Sequence, residues 1–137
     1  MALKRMEHYL VLTDDIEETR RFYCEALGME VGFRPTLEFP GYWLYLGDTP
    51  CIHVGDWDAY AMWTKKAGIP ISPRAQGTGP LDHIAFNATD FDATLKRLES
   101  RGIAVSQNRL DDIGLRQLFI KDPNGLMIEL NFRVKGP

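Results

Sequence analysis

The sequence predicts an α+β fold in which paired βαβββ modules form an open barrel. Two stretches, "MEHYLVLTDDIEETRRFYCEALGMEV" and "LDHIAFNATDFDATLKRLESRGIAV", share one order of features. Each begins with a short strand that carries a histidine, followed by an acidic cap, an amphipathic helix, a glycine and another strand. The chain has 137 residues, of which 45% are hydrophobic, and this size and composition fit one domain.

The repeat sets the expected domain organisation. We expect residues 1–137 to form a single domain, with module one at about 4–57, a linker at about 58–80 and module two at about 81–133. The linker contains a candidate short helix over 59–67 and then a Pro- and Gly-rich connector. Three linker aromatics could form a lid, or at near-helical spacing could pack onto a core or a dimer interface: Trp57, Tyr60 and Trp63.

Each module contains one helix with recognisable ends. Asp14 followed by Glu17 predicts a capping box for the first helix, and Gly28 occupies the position of a left-handed C-cap. Asp90 opens the second helix and Gly102 closes it. Apolar residues at helical spacing should lay one face of each helix on a sheet: Ile16, Thr19, Tyr23, Ala26 and Leu27, then Phe91, Leu95 and Leu98.

Three strand candidates follow each helix. In the first module they cover 30–34, 41–47 and 50–55, and in the second 103–107, 115–121 and 126–132. Asn124-Gly125 is a strong hairpin signal between the last two strands.

Charge and composition exclude several classes of partner. The net charge is −3, and the Lys and Arg residues are scattered among Asp and Glu, so no basic stripe marks a nucleic-acid surface. No run approaches the roughly 18 apolar residues of a membrane helix, and the N-terminus does not fit a signal peptide. We therefore expect a cytoplasmic protein that binds neither nucleic acid nor membrane, with Cys24 and Cys51 as free thiols.

The repeat brings four metal-ligand side chains into matching positions. His83 lies 75 residues after His8, and Glu129 lies 76 residues after His53, so first strands supply one pair and last strands the other. Imidazole nitrogen and carboxylate oxygen suit a divalent first-row ion (Ni, Co, Mn, Zn or Fe(II)), and we expect one per site. The alternative is that the histidines are ordinary half-buried side chains and that Glu129 faces water on an edge strand.

The motifs "EHYLVLTDDIEETRRFYCEALGMEV", "DHIAF" and "KDPNGLMIEL" resemble those of the vicinal oxygen chelate superfamily, which includes glyoxalase I, methylmalonyl-CoA epimerase, extradiol dioxygenases and bleomycin-resistance proteins. The resemblance implies a glyoxalase-like open barrel, a cupped metal site and commonly a homodimer. It also implies that His8, His83 and Glu129 are metal ligands. His53 matches a position that is glutamate in glyoxalase I and glutamine in the epimerase.

The resemblance implies metal-assisted proton transfer on a small substrate with adjacent oxygens. Glu129 would then be both ligand and catalytic base, and His53 either a fourth ligand or the second base. Strand parity places Gln117 and Phe119 on the face of Glu129, and Trp43 or Tyr45 on a strand near the cavity, so Trp43, Gln117 and Phe119 are the expected substrate-binding residues.

Departures from family motifs narrow the choice of activity within the superfamily. Leu12 stands where glyoxalase I has the arginine that pairs with glutathione, and Trp57 stands where it has an asparagine. Leu10 stands where fosfomycin-resistance enzymes have a threonine. Phe119 replaces the tyrosine of extradiol dioxygenases. The leading hypothesis is a glyoxalase- or epimerase-type enzyme. The alternatives are an Fe(II)-dependent extradiol dioxygenase acting on a catechol-type compound and a metal-free, bleomycin-resistance-like binding protein.

Overall fold

Each half of the chain folds as a four-stranded mixed sheet with its own helices. The computed structural model describes residues 2–74 and 76–133. These residues fall into two units, Met1–Arg74 and Ala75–Pro137.

The first unit has the strand order β1-β4-β3-β2, with β1 parallel to β4 and the other neighbours antiparallel. Its elements follow the order β1 (Tyr9–Thr13), α1 (Ile16–Arg21), a π-helical turn (Phe22–Ala26), β2 (Glu30–Gly32), β3 (Gly41–Leu46), β4 (Thr49–Asp56) and α2 (Trp57–Ala67). The order makes β4 an interior strand, hydrogen-bonded on both sides.

Helix α1 begins one residue later than the sequence predicts. The side chain of Asp15, not Asp14, caps it by accepting a 2.9 Å hydrogen bond from the Glu18 backbone N–H. The extended backbone of Asp15 aims its carboxylate at the helix start, and Asp14 instead pairs with Arg74. The predicted helix end is confirmed, since Gly28 has a φ of +78° and its N–H donates to the Cys24 carbonyl.

The first core lies between α1 and one face of the sheet. Tyr23 from the π-helical turn has no exposed surface, and neither do Leu44 on β3 and Ile52 on β4. Thr19 and Ala26 are also buried, whereas Ile16 and Leu27 are only partly covered. The side chains on the opposite face of the sheet do not belong to this core.

The second unit repeats the first, with the strand order β5-β8-β7-β6 and β5 parallel to β8. Its elements are β5 (His83–Ala88), α3 (Phe91–Ser100), β6 (Ser106–Leu110), a 3-10 turn (Asp111–Ile113), β7 (Leu115–Lys121) and β8 (Met127–Arg133). The predicted α+β architecture of two βαβββ modules is therefore confirmed.

Strand β6 differs from the prediction of 103–107. It covers Ser106–Leu110 and pairs with β7 from Ser106 opposite Phe119 to Leu110 opposite Leu115. The preceding residues finish the helix instead, because the Ile103 N–H donates to the Leu98 carbonyl at 3.1 Å. An apolar residue at 103 looked like a strand residue, but its backbone belongs to the helix-terminating turn.

The hairpin predicted at Asn124-Gly125 joins β7 to β8. Gly125 has a φ of +85°, and the buried Asp122 carboxylate accepts hydrogen bonds from the backbone N–H groups of Asn124 and Leu126 at 2.8 and 2.9 Å. This carboxylate organises the turn that sets the register of β8.

The predicted linker helix is present as α2, and two of its three aromatics pack on Phe39 in the same unit. The Phe39 ring lies 4.9 Å from Tyr60 and 5.3 Å from Trp63, measured between ring centroids. Trp57 lies beneath the Arg74 guanidinium at 5.2 Å. The contacts favour packing over a lid. Within the described residues, no helix has both the length and the apolarity needed to cross a membrane.

Candidate functional site

Glu129 lies on an interior strand, not on an edge. Strand β8 sits between β5 and β7, and Glu129 pairs in register with Ala85 on one side and Phe119 on the other. Only 14% of the Glu129 side chain is exposed. The alternative of a solvated edge-strand carboxylate is therefore excluded, and partners must offset the cost of burying this charge.

His83 faces Glu129 from the neighbouring strand. Its Nε2 lies 3.4 Å from Oε1 of Glu129, while its Nδ1 lies 2.7 Å from the Asp82 carboxylate. An ionised carboxylate can only accept, so Nδ1–H donates to Asp82 and Nε2 is the atom turned towards Glu129. The hydrogen bond to Asp82, and then the Glu129 charge, raise the pKa of His83 above its ordinary value.

The other oxygen of Glu129 ends a chain of side-chain amides that crosses the sheet. Asn131 Nδ2 donates to Glu129 Oε2 at 2.8 Å, and Gln117 Nε2 donates to Asn131 Oδ1 at 3.0 Å. Asn108 Nδ2 completes the series by donating to Gln117 Oε1 at 2.8 Å. We call Asn108, Gln117 and Asn131 the amide chain. Its members come from β6, β7 and β8 and share the face of Glu129.

In the first unit, the imidazole of His53 is held between two other rings. The Trp43 ring lies 4.0 Å away on one side at an interplanar angle of 9°, and the His8 ring lies 3.7 Å away on the other at 13°. Trp43 is the register partner of His53 across β3 and β4. His8 immediately precedes β1, whose Leu10 pairs with His53.

This stack keeps His53 neutral. Burial, reinforced by the neighbouring His8, lowers the pKa of His53 to about 4. The His8 Nδ1 lies 2.9 Å from the Glu7 carboxylate, the arrangement that Asp82 makes with His83. In both units the acidic residue directly before the histidine lies against Nδ1, which favours the neutral tautomer with its proton on Nδ1 and its lone pair on Nε2.

The donor set fits a divalent first-row ion. Two ligands that each lie about 2.0–2.1 Å from one ion at a tetrahedral angle are about 3.3–3.4 Å apart, and the His83 Nε2 to Glu129 Oε1 distance of 3.4 Å matches this separation. Each unit carries two of the four candidate donors, His8 and His53 in the first and His83 and Glu129 in the second. Among residues 2–74 and among residues 76–133, no three His, Cys, Asp or Glu side chains are grouped as a metal site. Neither described unit holds a full ligand set by itself.

The candidate substrate residues have structural partners already. Phe119 lies beside Glu129, Gln117 is 92% buried within the amide chain, and Trp43 covers His53. Sequence reasoning gave no role in the site to Asn131 or Asn108. Strand parity alone places Asn131 on the face of Glu129, two residues further along β8, but the position of Asn108 required the β6 register.

A cavity of about 580 Å³ in the second unit lies elsewhere, where β5 leads into α3. Its lining includes Asp90, Arg116 and Phe132 and contains none of the candidate site residues. Arg116 stacks 3.4 Å over the Phe91 ring, which accounts for its place on the helix-facing side of the sheet.

Comparison with known families decides the classification. The sequence model of the Glyoxalase/Bleomycin resistance protein/Dioxygenase superfamily matches residues 5–130. The chain belongs to this superfamily. The superfamily includes enzymes such as glyoxalase I.

Among curated proteins, this superfamily member is similar to "Glyoxylase I 4" of Arabidopsis thaliana, with 32% identity over 95% of the chain and 71% of the relative. Its fold matches the lactoylglutathione lyase of Agrobacterium tumefaciens, with a TM-score of 0.65, 20% identity, and coverage of 96% of both chains. It also matches TnmS3, an antibiotic binding protein from Streptomyces sp. CB03234, with a TM-score of 0.66, 24% identity, and coverage of 97% and 98%. These two structural likenesses establish the fold.

Proposed function

We propose that this superfamily member is a divalent-metal-dependent enzyme of glyoxalase or epimerase type. It would transfer a proton on a small substrate that carries two adjacent oxygens. The observation that supports this function best is the pairing of His83 Nε2 with Glu129 Oε1 at 3.4 Å on interior strands. When His83 is neutral, neither its Nε2 nor the Glu129 carboxylate carries a proton. The two atoms can then bind one cation together.

We propose His8, His53, His83 and Glu129 as the ligands of one Ni, Co, Mn, Zn or Fe(II) ion. When bound, the ion supplies Lewis-acid chemistry by polarising adjacent substrate oxygens and acidifying the neighbouring C–H bond. Glu129 would take the proton from this C–H bond and return it, because it is the only carboxylate among the four proposed ligands. Its Oε2 accepts a hydrogen bond from Asn131, which leaves Oε1 free.

His53 suits the role of neutral ligand better than that of second base. With a pKa of about 4, it binds a proton too weakly to accept one efficiently at neutral pH. Its stacked position between Trp43 and His8 also covers both faces of the ring and leaves only the ring edge for bonding.

The extradiol dioxygenase alternative is less well supported. The position opposite Glu129 on β7 is Phe119, whose ring has no hydroxyl to donate to a substrate or to oxygen. We propose Phe119 and Gln117 of the second unit and Trp43 of the first as the residues that contact the substrate, with the aromatic rings against its apolar part.

We also propose a homodimer that works in the cytoplasm. Cys24 and Cys51 are free thiols, which fits a reducing compartment, and burial raises the pKa of both. Light scattering of the purified protein would measure the mass, and a monomer at micromolar concentration would contradict the dimer.

The function is tested by metal content and by solvent exchange. Untagged protein purified without chelator should contain about one first-row ion per chain by mass spectrometry, and His83→Ala should contain little. The loaded enzyme should incorporate deuterium from D₂O next to the carbonyl of α-hydroxycarbonyl compounds without oxygen. Glu129→Gln should abolish this exchange while keeping some metal, whereas Glu99→Gln, an exposed carboxylate on α3, should behave as wild type.

Three results would each contradict a different part of the proposal. Wild type that takes up no metal even after reconstitution would favour a binding protein. Strict dependence of turnover on oxygen would favour the dioxygenase. Full exchange by Glu129→Gln would remove Glu129 as the base.

A further inference from the structure

We propose that Asn131, supported by Gln117 and Asn108, is a positioning residue for Glu129. Through it the amide chain holds one carboxylate oxygen so that the other faces His83. This inference rests on the proposed function in giving Glu129 a metal and a proton to handle, and it adds residues that the family resemblance did not supply.

The direction of every hydrogen bond in the amide chain follows from the Glu129 carboxylate at its end. An ionised Glu129 can only accept, so the group that Asn131 turns towards it must be Nδ2–H. Asn131 Oδ1 then points away and accepts from Gln117, whose own Oε1 accepts from Asn108. Each amide donates towards the carboxylate, and the three dipoles add up in that direction.

The burial of Gln117 makes this order hard to reverse. Gln117, its middle member, is only 8% exposed, and both ends of its amide are used. If Asn131 turned its amide over, it would place an oxygen against the Glu129 carboxylate and leave Gln117 with a donor and no acceptor. Both changes are costly in a partly buried site.

The two oxygens of Glu129 therefore have different roles. Oε2 is fixed at 2.8 Å from Asn131, whereas Oε1 lies 3.4 Å from His83 Nε2 and remains available. Outer groups that orient a metal ligand in this way are worth about 10–100-fold in metal affinity.

Two measurements test the inference, one of them independent of metal. Asn131→Leu and Gln117→Leu replace the amides by side chains of similar size. Asn87→Leu is the matched control, because Asn87 is the register partner of Asn131 on β5 and is exposed. Crystal structures of the metal-free proteins report the Glu129 side-chain conformation, and calorimetric titration with Zn²⁺ or Ni²⁺ reports affinity.

We expect Glu129 to leave its position in metal-free Asn131→Leu but not in Asn87→Leu. Metal affinity should fall about 10–100-fold in Asn131→Leu and less in Gln117→Leu, and stay within about two-fold in Asn87→Leu. An unmoved Glu129 in Asn131→Leu, or wild-type metal affinity in that variant, would overturn the positioning role. Failure of the wild type itself to bind metal would instead overturn the proposed function, while the crystal structures would still decide the role of Asn131.

Discussion

The indole of Trp43 lies parallel to the imidazole of His53, with ring centroids 4.0 Å apart and an angle of 9° between their planes. This contact helps to shield His53 from water, and burial is the main reason why its pKa falls to about 4. Trp43→Ala should therefore raise the pKa of His53 towards its ordinary value in metal-free protein. Histidine ¹H–¹⁵N NMR titration would measure it, and Trp63→Ala, which alters a different aromatic cluster, should leave it unchanged. An unaltered pKa in Trp43→Ala would show that the shielding comes from elsewhere.

Metal affinity should weaken as the pH falls. His83 has a raised pKa and binds metal only through an unprotonated Nε2, so protons compete with the ion below and around that pKa. Asp82→Asn removes the carboxylate that contributes most to the raised pKa, and the loss of affinity should then occur at lower pH. Zn²⁺ titrations across a pH series would detect this, with Asp112→Asn, an exposed carboxylate of the 3-10 turn, as the control. An identical pH dependence in Asp82→Asn would contradict the assigned hydrogen bond.

The hydrogen bond from the Tyr42 hydroxyl to Glu17 should stabilise the protein in a pH-dependent way. It is the largest cause of the lowered pKa of Glu17, with Arg20 adding to it. Because the folded-state pKa lies below the unfolded one, this stabilisation is complete above the ordinary carboxyl pKa and is lost as the pH falls through the folded value. Tyr42→Phe should lower the Tm at neutral pH, and the difference from wild type should shrink in acid.

Tyr45→Phe is the control for that experiment. Tyr45 lies on the same strand, but its hydroxyl donates to the Phe33 backbone carbonyl, which does not titrate. Its effect on Tm should therefore be the same at neutral and acid pH. A constant Tm difference for Tyr42→Phe as well would show that Glu17 does not control it.

Leu118 should be among the most sensitive core positions of the second unit. It lies on β7 with no exposed surface, between Gln107 and Leu130 in register. Leu118→Ala should lower the free energy of unfolding by about 2–5 kcal/mol, because it leaves a cavity in the core. Leu110→Ala, whose side chain is 41% exposed, should change it by less than about 0.5 kcal/mol. Urea denaturation would measure both, and equal effects would contradict the assigned core.

The helices and most strands could be predicted because their signals are local. Gly28 and Asn124-Gly125 required only neighbouring residues to indicate a helix end and a hairpin, and both predictions are confirmed. The start of α1 and the position of β6 could not be fixed in this way. Asp14 and Asp15 are chemically equivalent caps, and only the backbone conformation chose Asp15. Residue 103 has strand character, but its N–H completes the turn after α3.

The candidate site likewise has features that the sequence could predict and features that it could not. The repeat alone indicated His8, His53, His83 and Glu129, because equivalent positions in two copies of a module carried metal-ligand chemistry. The sequence by itself thus determined the two βαβββ modules and the chemical types of the candidate ligands. Only the tertiary structure decided that Glu129 sits on an interior strand, that His53 is neutral between two rings, and that Asn131 holds one carboxylate oxygen. Those facts depend on strand order and register, which are set by residues far apart in the chain.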